Sequence, residues 1–197
     1  LLIGFENVVA IGLRTDEYRR FEGKSIAEIA LALGKDPYDA LFDLLAAEQC
    51  NTGMIDYISD EEDLKAILRA PFSGVISDAT YPGAGQVHPR VYGAFARLIE
   101  TYVVREKVLT LEQAVHKVTL QAAERFSLAG KGKIEVGADA DLLLFAPEKI
   151  RERGTYLAPK ACASGFDEVF VLGERVIENG EYRGGSSGEM LGLRMEY

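Results

Sequence analysis

The chain has 197 residues, enough for one ordinary domain or one domain with a small companion. With 48% apolar and 27% charged residues its composition is globular rather than disordered. Its 22 basic and 31 acidic residues leave a net charge of −9, which repels phosphate backbones and argues against nucleic acid as a partner.

No apolar run approaches the ~20 residues needed to cross a bilayer, so no membrane partner is expected. No basic, apolar leader opens the chain, and Cys50 and Cys162 stand far apart outside any C-x-x-C arrangement. The expected compartment is therefore a reducing cytoplasm, with both thiols as small packed side chains. The start, Leu1-Leu2-Ile3-Gly4, lacks an initiator Met and suggests a fragment, a processed product or trimmed numbering.

In chain order, residues 7–14 read as a short buried strand. Ser25 with Glu28 forms a capping box, and Ile26, Ile29, Ala30 and Leu33 follow at helical spacing until Gly34 ends the helix. Asp36-Pro37 opens the next helix, whose apolar face carries Leu41, Leu44 and Leu45. Met54 to Ile58 is a short extended segment. Ser59 with Glu62 predicts another capped helix, carrying Leu64, Ile67 and Leu68 and ending before Pro71.

Ser73-Gly74-Val75-Ile76-Ser77 is a brief apolar run that stops at Asp78, before a loop rich in Gly and Pro over 79–89. Two long amphipathic helices are predicted over about 91–105 and 111–125, the second capped by Thr110 and Gln113. From Gly130 the period becomes that of strands: Asp141–Phe145, Glu168–Leu172 and Arg175–Glu178. Gly173-Glu174 suits a type II′ hairpin turn and Asn179-Gly180 marks a second turn. Strand–helix alternation to about residue 128, followed by β structure, predicts an α/β fold with a small sheet or sandwich after it.

Asp78 ends a short buried strand. In α/β barrels such a carboxylate faces a site, although Asp is equally at home starting a turn. His88-Pro89-Arg90 combines a titratable ring with a guanidinium fork suited to a carboxylate substrate; alternatively, Pro89 simply opens a helix and its neighbours face solvent. His116, inside a helix, reads as a surface residue. A hydrolytic zinc site wants about three protein ligands and an open position. With two histidines, no His-x-His and no His-Glu-x-x-His, this sequence does not supply them. The run Asp60-Glu61-Glu62-Asp63 complements a helix dipole. No Walker or dinucleotide pattern is present, and neither Ser73 nor Ser77 sits in a Gly-x-Ser-x-Gly elbow.

Three stretches together resemble the N-acyl-D-amino-acid deacylase (D-aminoacylase) branch of the metal-dependent amidohydrolase superfamily. They are Ile76-Ser77-Asp78 with His88-Pro89-Arg90 and Gly93-Ala94-Phe95-Ala96-Arg97; Lys117-Val118-Thr119 through Gly130 to Gly137-Ala138-Asp139-Ala140-Asp141-Leu142; and Phe170–Gly173 to Asn179-Gly180-Glu181. Residues 24–78 resemble that branch's inserted segment, so the likeness covers nearly the whole chain.

The resemblance implies the C-terminal part of a (β/α)8 barrel plus strands of a small β-sandwich. Residues 1–135 would belong to the barrel, with the inserted helical segment at about 15–72, and residues 136–197 to the sandwich and tail. Residues 73–77 would be the eighth barrel strand. The implied reaction is hydrolysis of an N-acyl-D-amino acid, with Asp78 moving the proton and available as a metal ligand. His88, Arg90 and Tyr57 would bind substrate.

Zinc would be the cofactor of the complete enzyme, not held by this chain alone. Ala79 stands where the family commonly has Gly, a residue better suited to positive φ. An open part-barrel would expose apolar strand edges, to be covered by self-association or by the missing N-terminal part. Two other readings stay open: another cyclic-amide amidohydrolase of the hydantoinase or dihydroorotase kind, and a non-catalytic fragment that only folds and associates.

Overall fold

A computed structural model describes residues 4–79, 87–156 and 158–191. The chain divides into two compact units, residues 1–61 with 80–88, and residues 62–79 with 89–197. Each has its own mixture of helix and strand.

In the first unit β1 (Val8–Ile11) pairs antiparallel with β2 (Gly53–Asp56), with Val8 opposite Asp56 and Ile11 opposite Gly53. Between them in sequence lie α1 (Ile26–Leu33) and α2 (Pro37–Ala47). The Ser25–Glu28 capping box forms as the sequence predicts, and Gly34 ends α1 in the left-handed region at φ 64°. The Asp36 carboxylate accepts the Tyr38 N–H at the head of α2.

Ala10, Leu13, Tyr18, Phe21, Ile26, Ile29 and Leu44 close over one core. Full burial of a side chain such as Ile29 or Leu44 contributes roughly 1.5–3 kcal/mol. The bend after β1 exposes successive N–H groups, which two carboxylates satisfy. Glu22 accepts from Gly12 and Leu13 at 2.8 Å each. The buried Glu48 accepts from the Arg14 and Thr15 amides at 2.9 and 3.0 Å and from the Thr15 hydroxyl at 2.6 Å. Burial pushes the Glu48 carboxyl up, but these hydrogen bonds outweigh it and hold it below the usual carboxylate range.

The second unit begins with α3 (Glu61–Arg69), whose first helical residue is one position later than a Ser59 cap predicts. The predicted helix over 91–105 forms as α4 (Arg90–Arg97), continued by a π-helix over Leu98–Arg105 in which Glu106 N–H reaches back five residues to Thr101. The predicted helix over 111–125 is split at Thr119 into α5 (Leu111–Val118) and α6 (Leu120–Arg125). Two features account for the split. The Thr119 hydroxyl bonds back to Val115 O at 2.7 Å, which competes with the helix ladder. Gly132 also crosses so closely that a Cβ there would lie 2.8 Å from the Thr119–Leu120 backbone.

The C-terminal strands form an antiparallel meander, β3 (Leu142–Phe145), β4 (Phe166–Val171), β5 (Glu174–Glu178) and β6 (Glu181–Tyr182), in sheet order 3-4-5-6. The short β6 follows directly on the Asn179-Gly180 turn. The turn between β4 and β5 corrects the predicted type II′ at Gly173-Glu174. It consists of Leu172 and Gly173, both at positive φ (49° and 83°), the type I′ hand. Asp141 is the reason: its Oδ1 accepts the Leu172 N–H at 2.8 Å, which offsets the cost of a left-handed leucine. Its other oxygen meets Lys131 Nζ at 2.5 Å. Leu142, Leu143 and Leu144 of the edge strand β3 are exposed. Leu68, Ala96, Leu98, Ile99, Tyr102, Leu109, Ala114 and Ile150 form this unit's core.

Residues 73–77, predicted as a strand, have no ladder partner among the described residues. Their burial nevertheless alternates as a strand's does: Val75 packs on the core and Ile76 is 72% exposed. A strand's alternation is present without the pairing that would make it a sheet strand.

Candidate active site

The site is built from the end of α3 onward. Pro71 cannot continue the helix, and the chain turns at Ala70–Ser73. Lys117, on the core face of α5 and only 5% exposed, closes over this turn. Its ammonium donates to Ala70 O at 2.6 Å, Ser73 O at 2.8 Å and Ser73 Oγ at 3.0 Å. Gln121 of α6 adds Nε2 bonds to Ser73 O at 3.1 Å and Pro71 O at 3.3 Å.

From that clamp the chain runs to Asp78, which sits at φ 46°. The positive φ falls on the aspartate itself, not on Ala79 after it. A non-glycine residue there is strained, and such positions cluster at functional sites. The Ser77 hydroxyl accepts the Ala79 N–H at 3.3 Å and tightens the bend.

The Asp78 side chain, 69% exposed, meets the first residue of α4: Arg90 Nη2 lies 2.7 Å from its Oδ2. Arg90 Nε also donates to the Asp78 carbonyl at 3.1 Å. One guanidinium thus holds both the backbone and the carboxylate of Asp78. Pro89 stands immediately before α4, as a helix-entry residue does.

The remaining sequence candidates are distributed as follows. Tyr57 follows β2, is exposed, and donates its N–H to Asn7 O at 3.1 Å. His88 is half-buried. Both belong to the first unit. His116 is exposed on α5. Residues 80–86 of the predicted Gly- and Pro-rich loop lie outside the described residues.

The residues here do not by themselves make a metal centre. Among the described residues no three or more His, Cys, Asp or Glu come together as a cage, so Asp78 offers at most one ligand.

Lys117 and Gln121 escaped sequence reasoning as site residues. Their signal was present: Ala114, Lys117 and Gln121 lie on one helical face, and a lysine on a face that buries its neighbours calls for a specific partner. Arg97 of the Gly-x-Phe-x-Arg element belongs to the frame instead. It pairs with Glu152 Oε2 at 3.2 Å, while Glu100 accepts the Glu152 N–H at 2.6 Å. Burial opposes the Arg97 charge, but its hydrogen bonds to Tyr102 and Glu152 outweigh it and raise its pKa.

A mixed α/β chain carrying an exposed, backbone-strained aspartate clamped by an arginine fits a hydrolase scaffold. The chain belongs to the amidohydrolase family, whose family model matches residues 9–176. It lies in the D-aminoacylase branch. It is 36% identical over 151 residues to an N-acyl-D-glutamate deacylase of Alcaligenes xylosoxydans xylosoxydans, a match covering 77% of this chain and 30% of that protein. It is 32% identical over 174 residues to a D-aminoacylase of the same organism, covering 88% and 35%. It is also similar to the crystal structure of N-acyl-D-glutamate deacylase from Bordetella bronchiseptica in complex with zinc and a phosphonate that mimics the tetrahedral intermediate. That similarity has a TM-score of 0.76 and 31% identity, and covers 87% of this chain and 35% of the other. The chain spans about a third of the length of the curated relatives it matches. Among the described residues no helix is long and apolar enough to cross a membrane.

Proposed function

We propose that this chain is the C-terminal portion of a zinc-dependent amidohydrolase that hydrolyses the amide bond of N-acyl-D-amino acids, with Asp78 as its proton-transferring carboxylate. In this reading residues 1–135 complete a barrel and residues 136–197 contribute sandwich strands. The observation that carries it is the Asp78 carboxylate, held exposed at a strained backbone position beside Arg90. An ionised carboxylate so placed can take a proton from an attacking water and return it to the leaving amine.

Arg90 is the group for the substrate's own carboxylate, an exchange of one carboxylate partner for another. His88 and Tyr57 are proposed to line the substrate's path. Zinc, when bound, would supply a polarised water, and Asp78 is the residue of this chain proposed to stand beside it. Cys50 and Cys162, expected as packed side chains, are exposed free thiols instead, a state that a reducing cytoplasm would maintain.

The test is hydrolysis of N-acetyl-D-methionine and N-acetyl-D-glutamate, with the L-enantiomers as controls. The full polypeptide carrying this chain is expected to be active, the 197-residue chain alone inactive, and Asp78→Asn in the full polypeptide inactive. Hydrolysis by Asp78→Asn at the parent rate would overturn the reading.

A further inference from the structure

We infer that Lys117, with Gln121, is a positioning residue for Asp78, acting through the backbone turn at residues 70–73; the inference rests on the catalytic reading of Asp78. The Lys117 ammonium is buried yet spends its three hydrogen bonds on neutral acceptors, two carbonyls and a hydroxyl of that turn. Burying a cation without a counter-charge is costly, and a lysine that only filled space would be replaced at less cost by an apolar residue.

Gln121 strengthens the case. It turns its Nε2 onto Pro71 O and Ser73 O and leaves its Oε1 buried without a partner among the described residues. Two side chains from α5 and α6 thus accept an energetic penalty to grip the same turn.

What the turn carries explains why it is gripped. Four residues separate Ser73 from Asp78, and they have no sheet partner among the described residues to hold them. At one end the segment is fixed by Lys117 and Gln121, at the other by Arg90 on the Asp78 carbonyl. A segment of four residues held at both ends limits the position of the carboxylate at its end. Released at the Ser73 end, it would let Asp78 drift.

The experiment compares Lys117→Met, Ser73→Ala and Asp78→Asn in the zinc-loaded full polypeptide, by steady-state kinetics and by hydrogen exchange of the backbone over residues 70–79. Lys117→Met is expected to lower kcat about 10- to 100-fold with KM near the parent's, because misplacement by roughly 1 Å costs on the order of 10²-fold. Exchange over 70–79 is expected to quicken while the rest of the chain is unchanged. Ser73→Ala, which removes one acceptor and folds more readily, is expected to show the same pattern at a few-fold, and it decides the matter if Lys117→Met does not fold.

Lys117→Met at parent kcat beside an inactive Asp78→Asn overturns the positioning role alone. A general loss of protection, with kcat and KM shifted together, assigns Lys117 to plain stability and also overturns it. An Asp78→Asn variant at parent kcat overturns the catalytic reading, and this inference with it.

Discussion

Arg90 holds Asp78 twice, by its Nη2 on the carboxylate at 2.7 Å and by its Nε on the carbonyl at 3.1 Å. The carboxylate bond is a partly exposed ion pair, worth on the order of 0–1 kcal/mol to stability. Arg90 can therefore exchange one carboxylate for another at little cost to the fold. Arg90→Ala is expected to raise KM for N-acyl-D-amino acids about 10- to 100-fold, as loss of a hydrogen bond to a charged group costs roughly 1.5–3 kcal/mol. The matching substrate amides, which lack the carboxylate, are expected to show no such change. Equal effects on acid and amide would remove Arg90 from substrate binding.

Gly93 lies in α4 where a Cβ would come within 2.9 Å of Glu152 Cγ. Glu152 cannot yield freely, because Arg97 holds its carboxylate and Glu100 its N–H. Gly93→Ala is therefore expected to destabilise by about 1–3 kcal/mol through overpacking, despite alanine's better helix propensity. The shift in urea midpoint at constant slope measures it, and a more stable variant would contradict the argument.

Two carboxyls link stability to pH. Asp141 is held below the usual range by the Lys131 ammonium and the Leu172 N–H. In Glu48 burial acts the other way, but the Thr15 and Arg14 hydrogen bonds outweigh it. Their unfolded values are about 3.9 and 4.3. Because the folded values are lower, the stabilisation is fully present above about pH 5 and is lost as pH falls through the folded values. Asp141→Asn is expected to be less stable at neutral pH and to lose less between about pH 5 and pH 3. An acid limb as steep as the parent's would show that Asp141 is not a source of it.

Ile29 is completely buried in the first unit's core. Ile29→Val is expected to cost about 0.5–1.5 kcal/mol and Ile29→Ala about 2–5 kcal/mol, the difference being the cavity left behind. Denaturation followed by a probe within residues 4–61 reads both. Costs under ~0.5 kcal/mol, the range of surface substitutions, would mean that this core does not hold the unit together.

Much of the local structure was legible because it is decided within a few residues. The Ser25–Glu28 and Thr110–Gln113 caps, the αL Gly34 and the Asn179-Gly180 turn are short-range matters of hydrogen bonding and backbone sterics, and each forms as read. Where reading failed, a distant partner had intervened. Thr119 divides one predicted helix because Gly132 crosses it, and the β4–β5 turn moves to Leu172-Gly173 because Asp141, 31 residues away, captures the Leu172 amide. The segment 73–77 has a strand's alternation but no ladder, since pairing depends on a neighbour that period alone does not supply.

The sequence by itself determined which residues carry charge, which faces are apolar, where helices begin, and the likeness that singled out Asp78, His88, Arg90 and Tyr57. Only the tertiary structure decided that Asp78 bears the strained φ, that Arg90 spends its guanidinium on Asp78, and that Lys117 is buried against the turn at 70–73. The physical reason is range. Propensity and capping act over about four residues, whereas Arg90 reaches Asp78 from 12 residues away and Lys117 reaches the turn at 70–73 from 44 to 47 residues away, distances that only folding closes.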